Sequence, residues 1–295
     1  MNYQSSYFSA TIRPKSPIMQ ISCFPNTYGR FGANAAIDLL PSTEIQWLEL
    51  PIKNYGVPSF FKEEPVLTES SSPAAIFALK ERIQQSGLKI SSCNITSGNP
   101  LQPDVVERTL KKLTIANQFG AKYVVAGGGE ISSEDDWSQL IQNMNTILNR
   151  AEELGITYCC ETHPGTCQNA TGMLELLERV DHPNLRINFD TGNIFFYNEN
   201  VDLFEQMDLV SEFISHVHLK DTNGRFKDWH FPALGAAGYV DFAQVREFLE
   251  GINFAGPSSL ELEGIQGEPE LSLEETHQRV IDSVDHLKAT GWTIE

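Results

Sequence analysis

Short apolar runs alternate with longer amphipathic stretches along most of the chain. The runs are IMQISCF (18–24), IQWLEL (45–50), LKISSCNI (88–95), AKYVVAG (121–127), ITYCCE (156–161), LRINFD (185–190), ISHVHLK (214–220) and SSLELEG (258–264). Their β-branched and aromatic content marks eight strands. Helix patterns lie between them. Over residues 104–120, Val106, Leu110, Leu113 and Asn117 share one stripe, and Gly120 stands at the stop position. Over residues 134–155 the stripe is Trp137, Leu140, Ile141, Met144, Ile147, Leu148 and Ala151. Ser133 and Asp136 precede it at capping-box spacing, and Gly155 closes it. A last helix opens at Ser272, with Glu275 three residues on, and carries Val280, Ile281, Val284 and Leu287 on its apolar face.

Eight strands alternating with helices, without a linker-like break, predict a parallel α/β sheet closed on itself. We read residues 17–295 as a single-domain (β/α)8 TIM barrel. Residues 1–16 are polar and punctuated by proline, which predicts a flexible N-terminal arm. An open doubly wound sheet is the alternative, but the segment after the first strand, PNTYGRFGANAA, fits neither GxGxxG nor GxxxxGK[ST].

The formal net charge of −18 over 295 residues changes the range of partners. Such an excess repels a phosphate backbone and an anionic lipid surface, and no Lys/Arg cluster offsets it, so neither nucleic acid nor membrane is expected. The five cysteines, Cys23, Cys93, Cys159, Cys160 and Cys167, form no CxxC pair. They read as free thiols of a reducing compartment rather than a disulfide framework or a zinc ribbon. The first twenty residues lack the apolar core of a secretory signal, and no run approaches the roughly 18 residues of a membrane span. A soluble, cytoplasmic protein is expected.

In a βα barrel the chemistry sits where strands end and loops begin. Strand five ends in Glu161-Thr162-His163, strand six in Asp190, strand seven carries His216-Val217-His218, and strand eight has Glu261-Leu262-Glu263. Singly, each is more simply a cap, an ion pair or a core histidine. Together they place metal-ligand types on four consecutive strands, and buried charges at strand ends are costly unless paired or metal-bound. Three carboxylates and one imidazole suit Mn²⁺, Mg²⁺ or Co²⁺ better than a thiolate-preferring ion. Spacing by two leaves His216 and His218 on one strand face, and likewise Glu261 and Glu263.

The segments YCCETHPGT (158–166), INFDTGN (187–193), HVHLKD (216–221) and SLELEG (259–264), in this order, resemble the xylose-isomerase-like barrel superfamily. That superfamily includes sugar phosphate isomerases/epimerases, ketose 3-epimerases, inosose dehydratases and the endonuclease IV group. The resemblance implies one divalent metal ion, Mn²⁺ first and Mg²⁺, Co²⁺ or Zn²⁺ as alternatives, on Glu161, Asp190, His218 and Glu261. It implies a small-molecule sugar substrate and an isomerase or epimerase reaction, with Glu161 and Glu261 exchanging a proton through a metal-stabilised enediolate. Lys220 is placed to help through its charge, and a lyase or dehydratase acting on a keto-cyclitol or 3-keto-glycoside is the alternative. His163, His216, Arg225, Trp229 and His230 are expected at the substrate, with Glu49 and Asn94 as further contacts. Many relatives form dimers or tetramers, so a homo-oligomer is among the states this reading allows. The sequence departs from ketose epimerases at Asn193, where those proteins usually carry a histidine. Its seven histidines also fall short of a three-zinc nuclease. The run GGGE (127–130) could offer backbone amides to an anion.

Overall fold

Each apolar run becomes a strand that leads into a helix. In chain order the strands are β1 (Gln20–Cys23), β2 (Trp47–Pro51), β3 (Lys89–Asn94), β4 (Tyr123–Ala126), β5 (Thr157–Glu161), β6 (Leu185–Asp190), β7 (Ile214–Leu219), β8 (His230–Phe231), β9 (Pro257–Leu260) and β10 (Gly264–Ile265). The helices are α1 (Gly32–Leu39), α2 (Pro73–Gln85), α3 (Pro103–Gln118), α4 (Glu134–Glu153), α5 (Ala170–Val180), α6 (Asn193–Tyr197), α7 (Leu203–Leu209), α8 (Phe242–Gly251) and α9 (Leu273–Ala289). The computed structural model describes residues 19–294, so the arm expected over residues 1–16 lies outside the described residues.

β1 to β7 and β9 form a closed barrel in that order, every pair parallel. Closure is made where Gln20–Cys23 of β1 run in register with Pro257–Leu260 of β9. Every barrel strand therefore ends at one mouth, and residues close in space there come from distant parts of the chain. Helices cover the outside. α4 buries Trp137, Leu140, Met144, Ile147, Leu148 and Ala151, and α9 buries Val280, Val284 and Leu287, as their sequence periods predict. Both helices open with the expected capping boxes, Ser133 with Asp136 and Ser272 with Glu275. Among the described residues no helix is long and apolar enough to cross a membrane.

Two expectations are corrected. The eighth strand ends at Leu260 rather than running to Gly264, because the chain leaves the barrel at Glu261 and Gly264–Ile265 pairs antiparallel with His230–Phe231. That two-stranded antiparallel pairing fastens the long segment after β7 to the segment after β9. In the segment PNTYGRFGANAA after β1, Pro25–Phe31 form a 3₁₀ turn that runs into α1. Its Gly32 is required, since φ is +55° and a Cβ would meet the Glu63 side chain at 2.8 Å. On α3 the buried face is rotated from the expected stripe. Val105, Thr109, Lys112, Leu113, Ile115 and Ala116 are buried, whereas Val106 and Leu110 are half-buried. A lysine at the centre of an inward face breaks the apolar period on which the expectation rests.

Truncating a residue of the α4 face should cost far more than truncating an exposed apolar one. Leu140→Ala, at a position with no exposure, is expected to lose about 2–5 kcal/mol. Phe77→Ala, at a position 65% exposed, is expected to stay within about 0.5 kcal/mol. Urea unfolding of both variants beside the parent chain checks the contrast.

Candidate metal centre at the barrel mouth

Glu161 is the last residue of β5, Asp190 the last of β6, His218 lies one residue before the end of β7, and Glu261 follows β9 directly. One ligand atom from each of the four lies within 4.8 Å of the others. Parallel strands of matched length bring them there, with Asp190 in register with His218.

Asp190 is oriented by the turn it begins. Asp190 Oδ1 accepts from the backbone N–H groups of Gly192 and Asn193, both at 2.8 Å, and Thr162 Oγ1 accepts from the Asp190 N–H at 3.0 Å. Its other oxygen, Oδ2, is buried and accepts no hydrogen bond among the described residues, and the same is true of Glu261 Oε2. The Lys220 ammonium lies 3.1 Å from the first and 2.9 Å from the second, close enough for charge attraction but without hydrogen-bond alignment. A buried carboxylate oxygen left without a partner is expensive. Both oxygens also lie near His218 Nδ1, at 3.8 and 3.0 Å, a donor set that suits a divalent cation.

His218 is wholly buried. Its Nε2 lies 3.2 and 3.1 Å from the two oxygens of Glu49, so the ring donates there. Nδ1 is left on the other side, 3.0 Å from Glu261 Oε2 and 3.3 Å from Glu161 Oε1, with the Asn188 amide at 3.2 Å. A carboxylate behind a metal-binding imidazole fixes its tautomer and raises its basicity. Burial alone would make His218 less basic, but Glu49 and Glu261 reverse this and hold it well above an ordinary histidine. His216 goes the other way. Burial pushes it down to about 4, so it stays neutral, donating from Nδ1 to Asn188 Oδ1 at 2.8 Å and accepting from Ser92 Oγ at 2.9 Å.

A cavity of about 470 Å³ opens above the four residues. Glu161, His163, Asn193, Lys220, Glu261 and Glu263 line its floor, and Phe60, Phe61 and Trp229 stand on its rim. Lys220 is buried under three carboxylates, with Glu263 Oε2 at 3.1 Å and Asn193 Oδ1 at 3.1 Å. Burial works against its charge, but Asp190, Glu261 and Glu263 outweigh burial and hold the ammonium protonated. Burial also pushes Glu263 up to about 7, against the opposing pull of Lys220.

Of the residues expected at the substrate, His163 and Trp229 line the cavity together with Asn94. Three do not, and are corrected. His216 lies beneath the site, bonded to Ser92 and Asn188. The Arg225 side chain is 78% exposed beside Asp228, away from the cavity. His230 is held in the β8–β10 pair. Glu49 supports His218 instead of touching a substrate. The GGGE run is a packing seam, where Gly129 O accepts from both the N–H and the hydroxyl of Thr166, and a Cβ on Gly128 would meet Cys167 Sγ at 2.6 Å. Asp221, next to Lys220, is held apart from it by the backbone N–H groups of Gly235, Gly238 and Val240, from which it accepts. Sequence reasoning passed over the supporting role of Glu49, and Asn188 and Tyr197 altogether. The signal for the first two was parity: Glu49 interrupts an apolar strand, and Asn188 shares a strand face with Asp190.

Residues 53–290 match the family model described as a xylose isomerase-like TIM barrel. An inosose dehydratase of Bacillus cereus is 25% identical over 171 residues, covering 50% of this chain and 56% of that protein, so the match spans little more than half of the relative's length. Among solved structures, a xylose isomerase domain protein from Planctomyces limnophilus has a TM-score of 0.70 at 17% identity, covering 94% of this chain and 98% of that one. A D-psicose 3-epimerase from Clostridium cellulolyticum has a TM-score of 0.69 at 13% identity, covering 94% and 100%. At such identities the structural likeness carries the fold alone.

Calorimetric titration with Mn²⁺ should detect one binding event, accompanied by a higher melting temperature because the ion binds only the folded chain. Glu49→Gln should weaken that binding about 10–100-fold, by removing the charge that orients His218. Unchanged Mn²⁺ affinity in Glu49→Gln would show that Glu49 does not support the site.

Proposed function

The chain belongs to the xylose isomerase-like TIM barrel family, and from that premise we propose that it is a divalent-metal-dependent enzyme that deprotonates the carbon beside the carbonyl of a polyhydroxylated ketone. The observation that carries this is the convergence of Glu161, Asp190, His218 and Glu261, with two buried carboxylate oxygens that lie beside Lys220 but accept no hydrogen bond among the described residues. Three oxygen donors and one imidazole suit Mn²⁺, Mg²⁺ or Co²⁺. Such an ion, when bound, polarises the substrate carbonyl and stabilises negative charge on the neighbouring oxygens.

Glu161 and Glu261 reach the cavity from β5 and from the end of β9, three strands apart around the barrel. One carboxylate takes the proton from carbon, and the C–H electron pair enters an enediolate. The other returns a proton to the opposite face of that carbon, giving an epimer, or to the neighbouring carbon, giving an isomer. Lys220 holds a fixed positive charge beside the developing oxyanion. Sugar isomerase or epimerase is the reading we place first.

A second reading, dehydration, is favoured by particular observations. Asn193 is held by Lys220 and by the Thr162 carbonyl and can neither gain nor lose a proton. Glu263, raised to about 7 and touching Lys220, lines the cavity as a group able to protonate a leaving hydroxyl. In that outcome the enediolate pair forms a C=C bond, the C–O bond breaks, and hydroxide departs as water with that proton. The similarity to an inosose dehydratase points the same way.

One experiment tests both readings. Metal-loaded protein is incubated in D₂O with ketoses, inosose and 3-keto-glucosides. Deuterium at the carbon beside the carbonyl without a new ultraviolet band supports epimerisation or isomerisation, whereas an absorbing unsaturated product supports dehydration. Neither signal across the panel would refute the proposed deprotonation. Glu161→Gln is expected to slow the exchange by about 10²–10⁴-fold.

A further inference from the structure

The barrel holds a second buried lysine that the proposed chemistry does not use. Lys112, on the inward face of α3, has no exposed surface. Burial, with Arg108 and Lys53 nearby, pushes its ammonium down to about 7 against the pull of Glu69. A buried amine at that cost is retained where its hydrogen bonds matter. Lys112 Nζ donates to Asn54 Oδ1 at 2.7 Å, to the Thr96 carbonyl at 2.9 Å and to the Ile95 carbonyl at 3.4 Å. Its acceptors belong to the loops after β2 and β3, and both Asn54 and Thr96 line the cavity. Arg108, one turn earlier on α3, reaches the same region, donating to the Ser97 carbonyl at 2.8 Å.

These contacts settle the orientation of two cavity amides. Asn54 turns its oxygen to Lys112 Nζ and its NH₂ to the Ser97 carbonyl, which can only accept. The Thr96 N–H donates to Asn94 Oδ1 at 3.3 Å, which fixes Asn94 in the same sense. Asn54 uses one amide hydrogen on the Ser97 carbonyl at 3.4 Å, and Asn94 uses neither on any described residue. Asn26 and Asn193, the other two cavity asparagines, are bonded like Asn54 through the oxygen and one amide hydrogen, but to the acidic floor and its cations. Asn26 joins Glu261 to Lys53, and Asn193 joins the Thr162 carbonyl to Lys220.

We propose that Asn54 and Asn94 are the specificity-determining residues of this cavity, donating to acceptor oxygens on the part of the substrate remote from the reacting carbon, and that Lys112 is the positioning residue that presets them. The proposal rests on the reading of the cavity as a substrate site. It makes the β2–β3 side of the cavity a donor wall opposite the acidic floor. The group it selects is an uncharged hydroxyl or carbonyl oxygen, since neither amide carries charge and the nearby Lys53 is paired with Glu63 at 2.8 Å.

Asn54→Asp and Asn94→Asp are the sharpest probes, because each keeps the oxygen bonded to Lys112 or to the Thr96 N–H while removing the donor. On any ketone that exchanges deuterium with the parent protein, at saturating Mn²⁺, each variant is expected to raise KM about tenfold, with kcat within about twofold, as loss of one hydrogen bond to a neutral partner would do. Lys112→Met should raise KM in the same manner. Calorimetry with xylitol, a non-reacting polyol, should show the same loss without turnover and covers the case in which Lys112→Met does not fold. Unchanged KM and unchanged xylitol affinity in both Asp variants overturn the proposal, as does a fall in kcat with KM unaltered. Exchange in the parent protein with no change in the variants sinks this inference alone, whereas no exchange on any ketone sinks the reading of the reaction.

Discussion

The mouth of this barrel is organised by an excess of negative charge in a place with little water. Glu49, Asp190 and Glu261 are buried, with Glu161 and Glu263 at the cavity floor, and His218 and Lys220 are the cations among them. In a medium of low polarity, carboxylates so close cannot all stay ionised without further positive charge. The fold answers in three ways. Lys220 is clamped between Asp190, Glu261 and Glu263; Glu263 is pushed up to about 7 and sheds part of its charge; and two oxygens remain near His218 Nδ1 without a hydrogen bond among the described residues. A divalent cation bound there would meet the remaining demand.

That constraint explains why so much of the site was legible in the sequence. A carboxylate at the end of an otherwise apolar strand is conspicuous, and Glu161, Asp190 and Glu261 each stand at such a place. Their intervals along the chain, 29 residues from Glu161 to Asp190 and 71 from Asp190 to Glu261, fit strands that return to one mouth. Strand number, helix caps and barrel closure follow from the same periodicity. Two of the three misassigned residues, Arg225 and His230, belong to the long segment after β7, where no period constrains the direction of a side chain; the third, His216, lies on β7 itself. Arg225 and His230 look like ligand-binding residues by type alone, yet one is exposed and the other sits in a strand pair formed with residues 264–265. Pairing between two segments that are both loops in sequence leaves no local trace.

The supporting layer was hidden for a different reason. Glu49 and Asn188 act through His218 and His216, so their meaning depends on which strands become neighbours across the barrel interior. Parity marks them as inward, but only the closed sheet shows what they meet. The α3 face was misread for a related cause. A lysine in a helix pattern is assigned to the solvent side by default, and Lys112 reaches inward because three oxygens from two strand ends await its ammonium.

Lys112 and Lys220 show how one residue type is put to opposite use within a single barrel. Both are buried, and burial opposes the charge of each. Around Lys220 the partners are mainly carboxylates, so Coulomb attraction outweighs desolvation and the charge is locked at the acidic floor of the cavity. Around Lys112 the hydrogen-bond acceptors are a side-chain amide and two backbone carbonyls, dipoles that cannot repay the full desolvation cost, and its proton is held more weakly. What those dipoles receive in return is direction. Asn54, held by its oxygen, turns its hydrogens the other way, so a cation kept out of reach of any ligand can still set which groups the wall of the cavity presents.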